Sequence, residues 1–142
     1  MTIARLMEGR SGEVFCCEAT STVRDAVAVL ASKRIGALPV MADGKVAGIF
    51  SERDLVYQLQ AQGLAVLDRP VSEVMTAPAV TVSRDTRVLE ALGLMTRRRI
   101  RHLPVVENGA MIALVSIGDL VKYRIELIES EAEALRTYIQ TA

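Results

Sequence analysis

Two short segments of this chain carry the residue types best suited to bind a small polar molecule. Each has a serine followed three residues later by an aspartate: Ser51 with Asp54, and Ser116 with Asp119. An ionised carboxylate only accepts hydrogen bonds, and it can accept them from two neighbouring hydroxyl groups at once. The same pattern at the start of a helix is also a capping box, which stabilises the helix. The two roles are compatible, because the serine can cap the helix while the aspartate faces a cleft.

Both segments belong to a longer internal repeat. At an offset of 65 residues, ten of the 23 positions from 34 to 56 are identical to their counterparts in 99–121, without a gap. The shared residues include Arg-Ile, Leu-Pro-Val, a glycine after Asp43 or Asn108, and Ser-x-x-Asp-Leu-Val. A fixed period of this kind indicates that one structural unit has been duplicated.

Each copy predicts the element order β-α-β-β-α. Short apolar strands at 14–17 and 79–82 precede helices in which apolar residues recur at i, i+3, i+4 and i+7 from Val23 and from Val88. Candidate N-caps for these helices are Ser21 or Thr22 in the first copy and Asp85 or Thr86 in the second. We expect a mixed α/β (α+β) fold in which the two repeats pack around a pseudo-two-fold axis.

A β-hairpin should follow the first helix of each copy. Asp43-Gly44 and Asn108-Gly109 tolerate the left-handed backbone that a two-residue turn requires. Pro39 and Pro104 each remove a hydrogen-bond donor, which predicts that their strands are short or lie at a sheet edge. The second helix of each copy then begins at Ser51 or Ser116.

The repeats set the domain boundaries that we predict. Residues 1–62 form the first repeat and residues 71–125 the second. Residues 63–70 form the linker, since Gly63 can end a helix and Pro70 can begin the next element. Residues 126–142 form a C-terminal helical extension.

These motifs resemble the cystathionine-beta-synthase-type (CBS) domain, and their duplication resembles a stand-alone CBS pair. The resemblance rests on the repeated Leu-Pro-Val, Asp/Asn-Gly and Ser-x-x-Asp motifs, on Val-Met-Thr at 74–76 and on the stretch 98–106, and it covers about residues 2–125. It implies a regulatory module that binds AMP, ADP, ATP or NAD(H), or sometimes S-adenosylmethionine, between the copies and that commonly dimerises. It implies no catalysis.

The resemblance also assigns roles to individual residues. Asp54 and Asp119 match the aspartate that accepts hydrogen bonds from the ribose hydroxyls, and Ser51 and Ser116 match the serine that helps hold ribose or phosphate. Thr81 is expected on the strand that lines the adenine pocket, where it either contributes to the pocket or simply packs against neighbouring side chains. The predicted nucleotide-binding residues are Ser51, Arg53, Asp54, Thr81, Arg101, His102, Ser116 and Asp119.

The two sites should not be equivalent. In the CBS arrangement, each ligand is also reached by the Leu-Pro-Val segment of the other copy, so Asp54 and Arg53 should face Arg101 and His102. Guanidinium groups suit phosphate because their planar donors match its oxygens. Asp119 would instead face the uncharged pair 36–37. We therefore expect the Asp54 site to bind the tighter or more phosphorylated ligand.

The second copy departs from the family pattern in two further places. Gly118 stands where the first copy has Arg53, and Ala113 stands where it has Gly48. The methyl group of Ala113 could crowd a base or sugar. The Asp119 site is thus expected to be weaker, empty, or filled by the nucleoside end of a longer ligand.

Composition argues against several other classes of protein. Seventeen basic residues balance seventeen acidic ones, whereas DNA-binding proteins usually carry a basic excess. The cluster Arg97–99 with Arg101 is open to three interpretations: a solvated helix end, contact with a ligand phosphate, or nucleic-acid binding. His102 is the single histidine and has no ligand set beside it, so no metal site is predicted.

We predict a cytoplasmic protein. No apolar run reaches the roughly 20 residues of a membrane span, and the first eight residues lack the layout of a secretory signal. Cys16 and Cys17 are adjacent, so they cannot join distant segments.

The last helix should run from Ser116 to about Tyr138. It carries an apolar stripe at spacings of 4, 3, 4, 3 and 4, formed by Val121, Ile125, Ile128, Ala132, Leu135 and Ile139. Either this stripe forms a dimer contact or the helix returns onto the domain.

The leading hypothesis is an adenine-nucleotide sensor that acts as a homodimer on a regulated protein in trans. The alternatives are a dimerisation scaffold with vestigial pockets and, less favoured by the charge balance, a nucleic-acid binder.

Overall fold

The duplicated sequence folds into two copies of one local structure in the computed structural model, which describes residues 1–8 and 14–142. The predicted β-α-β-β-α order and the mixed α/β class are confirmed. In chain order the elements are α1 (Ile3–Met7), β1 (Cys17–Glu18), α2 (Val23–Lys33), β2 (Ala37–Ala42), β3 (Lys45–Ser51), α3 (Glu52–Gln62), α4 (Val88–Arg98), β4 (His102–Glu107), β5 (Ala110–Ser116) and α5 (Ile117–Thr141). Two 3₁₀ turns, Gly63–Asp68 and Val71–Glu73, lie between α3 and α4.

Both hairpins form at the predicted turns. Asp43 and Gly44 have φ angles of 52° and 76°, and Asn108 and Gly109 have φ angles of 51° and 80°. Two consecutive left-handed residues match the twist of the flanking antiparallel strands, β2 with β3 and β4 with β5.

The first strand of each copy is shorter than predicted. β1 contains only Cys17 and Glu18, and in the second copy the strand is reduced to a single parallel bridge between Val82 and Val105. β1 pairs with Val40 and Met41, which lie beyond Pro39. β2 is therefore the central strand of its sheet, so the prediction of an edge position was wrong for it. The two residues of β2 that pair with β1 both follow the proline.

A predicted N-cap begins the first helix of the first copy, but neither predicted N-cap begins the corresponding helix of the second copy. The Thr22 hydroxyl accepts a hydrogen bond from the Asp25 amide at 3.1 Å and caps α2. In the second copy α4 begins after Arg87, so neither Asp85 nor Thr86 is its N-cap. The Thr86 hydroxyl instead accepts from the Ser83 amide at 3.0 Å, which closes the preceding turn.

The two repeats exchange their leading segments. Ile3 and Leu6 of α1 are buried in the core of the second repeat, beside residues such as Val88 and Leu103. Val66 from the predicted linker, and Val71 and Val74 from the start of the second repeat, are buried in the core of the first. The stretch 63–70 that we predicted as a linker thus contributes Val66 to a core. Each core needs a segment from outside its own repeat, so the two copies cannot separate without exposing apolar surface.

The segment 74–76 approaches the first repeat closely at one glycine. Thr76 pairs with Ile49 of β3 through two backbone hydrogen bonds, of 2.8 and 3.0 Å. A β-carbon on the neighbouring Gly48 would lie 2.6 Å from the Thr76 carbonyl oxygen and 2.8 Å from the Met75 sulfur. These separations are shorter than van der Waals contact, so no side chain fits at Gly48 unless the segment moves.

We expect Gly48→Ala to lower the free energy of unfolding by about 1–3 kcal/mol, the usual cost of overpacking. Urea denaturation measures this loss. Gly118→Ala is the control, because the nearest atom to its added carbon, the Ser116 hydroxyl oxygen, is 3.6 Å away. Equal stability of the Gly48 variant and the control would show that the contact at Gly48 is unimportant.

Candidate functional site

A cavity lined by residues of both copies lies between the two repeats. It has a volume of about 700 Å³, within the range of small-molecule sites. Its walls come from the end of β3 and the first turns of α3, from residues 76–80, from the junction of α4 with β4, and from the junction of β5 with α5. We call it the arginine cavity, after the charged residues described next.

Four arginines converge on this cavity. Arg53 comes from α3, Arg98 and Arg99 from the end of α4, and Arg101 from the segment before β4. Among the described residues, none of these four guanidinium groups forms an ion pair. Arg53 donates a hydrogen bond to the backbone oxygen of Arg99 at 3.3 Å, which links the two repeats across the cleft. The carboxylates of Glu52 and Asp54 also line the cavity, so four cations face two anions, and the excess of positive charge favours binding of an anion.

Asp54 is oriented by three hydrogen bonds. Its Oδ2 atom accepts from the Ser51 amide at 2.9 Å and from the Ser51 hydroxyl at 3.0 Å, while its Oδ1 atom accepts from the Thr76 hydroxyl at 3.0 Å. The Asp54 amide donates to the Ser51 hydroxyl oxygen at 3.2 Å, so the predicted capping box is present. A carboxylate has about four acceptor positions. The bond to Thr76 therefore fixes the carboxylate at the cavity wall and leaves it capacity to accept from a ligand.

The remaining wall of the arginine cavity is largely apolar. The side chains here can contact a flat ring system without competing for its hydrogen bonds. They belong to Ile49, Tyr57, Pro78, Ala79, Val80, Ile100 and Ile117. Cations, a carboxylate and an apolar surface thus lie in one cavity.

A second cavity, of about 300 Å³, is related to the first by the repeat. Val14, Ile35 and Leu114 line it at positions 65 residues from Ala79, Ile100 and Ile49 of the arginine cavity. We call it the apolar cavity, because His102 and Ser116 are the only polar side chains among the described residues that line it. Ala113 also lines it, which places its methyl group where the first copy has a hydrogen atom.

His102 lies at the boundary of both cavities. Partial burial lowers its pKa below the usual 6.5, and the positive charge of Arg101 acts in the same direction. Asp119 and Glu52 oppose this shift but do not reverse it. The imidazole is therefore neutral at pH 7.

The structure brings together most of the residues that the sequence predicted. The arginine cavity is lined by Ser51, Arg53, Asp54, Arg101, His102 and Ser116. Asp119 lies outside the lining of both cavities; its carboxylate accepts from the Ser116 amide at 2.9 Å in the second capping box. Thr81 is exposed and also lies outside both linings.

Five polar residues that the sequence did not single out as site residues also line the arginine cavity: Glu52, Tyr57, Thr76, Arg98 and Arg99. Thr76 ends the Val-Met-Thr motif, so the motif was a signal for it. Arg98 and Arg99 belong to the arginine cluster, of which Arg97 does not line the cavity. Of the cluster, only the arginines that line the cavity are placed where the phosphate interpretation requires them, and that interpretation stays a prediction.

Two other observations concern the parts of the chain that the structure describes. No group of three or more His, Cys, Asp or Glu side chains in residues 1–8 and 14–142 is placed to hold a metal ion. Within the same residues, no helix combines the length and apolar composition needed to cross a membrane.

Two interlocked copies of one α/β repeat, with cavities in the cleft between them, define a class of tandem-repeat modules. The chain belongs to the CBS-domain family, since the family profile matches residues 5–61 and 71–126. It is similar to the mitochondrial CBS domain-containing protein CBSX3 of Arabidopsis thaliana, with 36% identity over 148 residues, covering 98% of this chain and 72% of the relative. Five other curated relatives from the same plant are much longer, and the chain spans only 20–24% of their length.

Solved structures have the same fold. The CBS-domain protein ATU1752 of Agrobacterium tumefaciens is 37% identical, with a TM-score of 0.81 over 87% of this chain and 92% of that one. CBSX2, solved in complex with AMP, is 26% identical, with a TM-score of 0.74 over 89% of this chain and 97% of that one.

The lowered pKa of His102 makes stability depend on pH. In the unfolded chain His102 binds a proton at its ordinary pKa of 6.5, whereas in the folded chain it binds the proton only at lower pH. The folded state is therefore destabilised as the pH falls through 6.5. We expect the free energy of unfolding, from urea titrations at pH 8 and pH 6, to fall more in the wild type than in His102→Gln. The same fall in both proteins would contradict a lowered pKa.

Proposed function

We propose that this protein is a regulatory module that binds an adenine nucleotide, AMP, ADP, ATP or NAD(H), in the arginine cavity. It catalyses no reaction itself and acts as a homodimer on a regulated protein in trans. The cytoplasmic location expected from the sequence remains part of this proposal.

The observation that carries the proposal is the set of four arginines without ion pairs beside Asp54. The Coulomb repulsion among the guanidinium groups is relieved when an anion lies between them. A phosphate accepts several charge-assisted hydrogen bonds at once, each stronger than a neutral one. The phosphoryl end of a ligand therefore belongs beside Arg53, Arg98, Arg99 and Arg101.

Asp54 and the apolar wall suit the other parts of a nucleotide. The oriented carboxylate has one of its about four acceptor positions left, on Oδ1, where it can accept from a ribose hydroxyl, the partner that the family resemblance implies. Ile49, Val80 and Ile100 offer the apolar surface that buries the faces of a base. The complex of CBSX2 with AMP supports this choice of ligand class.

The cavities are expected to bind unequally. The arginine cavity contains every site residue that can donate to a phosphate through a guanidinium group, while the apolar cavity contains none among its described residues. Its smaller volume and the Ala113 methyl group further limit what it accepts. Binding in the arginine cavity would contact both repeats, so the ligand would stabilise the conformation that brings them closest.

The first experiment is a thermal-shift screen of the wild type against AMP, ADP, ATP, NAD(H) and S-adenosylmethionine. A ligand that binds the folded state raises the melting temperature by an amount that grows with the logarithm of its concentration over its Kd. A dimerisation scaffold with vestigial pockets would show no shift with any of the five.

The matched pair Asp54→Ala and Asp119→Ala then tests the site by calorimetry with the ligand that gave the largest shift. Both variants lose a helix-capping aspartate, but only Asp54 lines the arginine cavity. We expect Asp54→Ala to weaken binding about ten- to a hundred-fold, the equivalent of about 1.5–3 kcal/mol for a charged hydrogen bond. Asp119→Ala should change it less than threefold by the same scale.

Unchanged affinity in Asp54→Ala would remove this carboxylate from the site. A larger loss in Asp119→Ala than in Asp54→Ala would contradict binding at Asp54.

A further inference from the structure

Helix α5 leaves the body of the protein after its second turn. It runs without interruption from Ile117 to Thr141, more than twice the length of its counterpart α3, and Leu120 is its one buried residue. The possibility that the chain turns back onto the domain is thereby excluded. We call the apolar residues along one face of α5 the α5 stripe: Val121, Ile125, Ile128, Ala132, Leu135 and Ile139. All of them except the half-buried Ala132 are exposed.

The α5 stripe exposes more apolar side chain than a helix face in contact with water usually does. Ile125 is 50% exposed, Leu135 60% and Ile139 65%. Leu120 and Tyr123 pack against the body, and at about 100° per residue they lie more than a quarter turn from the middle of the stripe. The stripe is therefore open to a second helix, which would not displace the contacts of α5 with its own domain.

The stripe has the spacing of a coiled-coil seam. Its residues occupy alternating a and d positions of a seven-residue repeat, with Ile125, Ala132 and Ile139 at a. The flanking e and g positions are charged in blocks: Lys122 and Arg124 are basic, Glu129 and Glu131 are acidic, and Arg136 is basic. In coiled coils the charges at e and g decide which orientation of the partner is favoured.

A parallel, in-register pair of these helices matches opposite charges. Each g position then faces the following e position of the other helix. Arg124 faces the partner's Glu129, and Glu131 faces the partner's Arg136, and each pair occurs twice by symmetry.

An antiparallel pair that overlaps the whole stripe matches like charges instead. Its midpoint falls near residue 130, where each e residue faces an e residue and each g residue faces a g residue. Glu129 and Glu131 would each face their own copy, and Lys122 would face the partner's Arg136. Like charges across a helix interface are unfavourable.

We propose that the α5 stripe pairs with the same stripe of a second copy of this chain, in parallel and in register. This deepens the homodimer part of the proposed function and does not depend on nucleotide binding. Both domains would lie at the same end of the helix pair, where Ser116 and Ile117 at the start of α5 also line the arginine cavity. A ligand in the arginine cavity would then lie beside the residues at which the paired helices begin.

The first test is sedimentation equilibrium of the full chain. We expect the wild type to be a dimer at 100 µM, roughly a working concentration for weak self-association. Leu135→Glu should raise the dissociation constant about tenfold or more by placing a charge in the seam. Ser130→Glu adds the same charge on the outer face of α5 and should leave the dimer unchanged.

These variants separate the dimer from the site. Leu135 makes no contact with either core cluster, so Leu135→Glu should keep its circular dichroism spectrum and its nucleotide affinity. A monomeric wild type, or a Leu135→Glu protein as dimeric as the wild type, overturns the proposal whatever the nucleotide titration shows.

The second test fixes the orientation. In the parallel pair, Arg136→Glu replaces attraction to the partner's Glu131 with repulsion, and we expect the dissociation constant to rise about two- to tenfold, the range of exposed ion pairs. Adding Glu131→Arg to the same chain should return the dissociation constant of the dimer to the wild-type value. In the antiparallel pair, Arg136→Glu would face the partner's Lys122 and tighten the dimer. Tightening, or failure of the second substitution to restore the dimer, contradicts the parallel arrangement.

Discussion

The exchange of leading segments between the two repeats is the constraint on which the rest of the structure depends. Ile3 and Leu6 complete the second core, and Val66, Val71 and Val74 complete the first. Because each buried residue of this size contributes about 1.5–3 kcal/mol, separation of the repeats would cost many times the thermal energy. The cleft between the repeats is therefore a fixed part of the fold rather than a gap between two independent domains.

The same exchange builds the candidate site. The chain passes from the first core at Val74 to the second at Val82, and the intervening residues form one wall of the arginine cavity. On this path Thr76 pairs with Ile49 and donates to Asp54, which is possible only because Gly48 has no side chain. A residue needed for close packing thus also determines where the acceptor of the site points.

Divergence of the two copies explains why one fold contains two different cavities. At the positions that face the cleft, Arg101 and His102 of the second copy correspond to Gly36 and Ala37 of the first, and Arg53 corresponds to Gly118. The cations of both copies therefore line one cavity, and the other has no guanidinium group among its described residues. His102 adjoins both and remains neutral at pH 7 in the cleft.

Much of this could be predicted from local patterns. The hairpin turns, the helix faces and the capping boxes depend on residues close together in sequence, and the repeat showed which copies correspond. Asp54, Arg53, Arg101 and His102 were placed together because the family resemblance supplied the pairing of the copies.

The exchange of segments could not be predicted in the same way. Ile3 and Val71 read as apolar residues at the start of a repeat, and nothing local shows which core receives them. The roles of Thr76 and of Arg98 and Arg99 depend on that long-range arrangement. Thr81 has the pattern of a strand residue, but the second copy forms only one bridge there, so its side chain remains exposed.

The central claim is that the arginines of the cleft bind the phosphate of a nucleotide. Calorimetric titration of the wild type with adenosine, AMP and ATP, each at 50 and 200 mM salt, tests it most directly. The account predicts that AMP binds about tenfold or more tighter than adenosine, and that added salt weakens AMP and ATP but not adenosine. Equal affinity for adenosine and AMP, independent of salt, would contradict it.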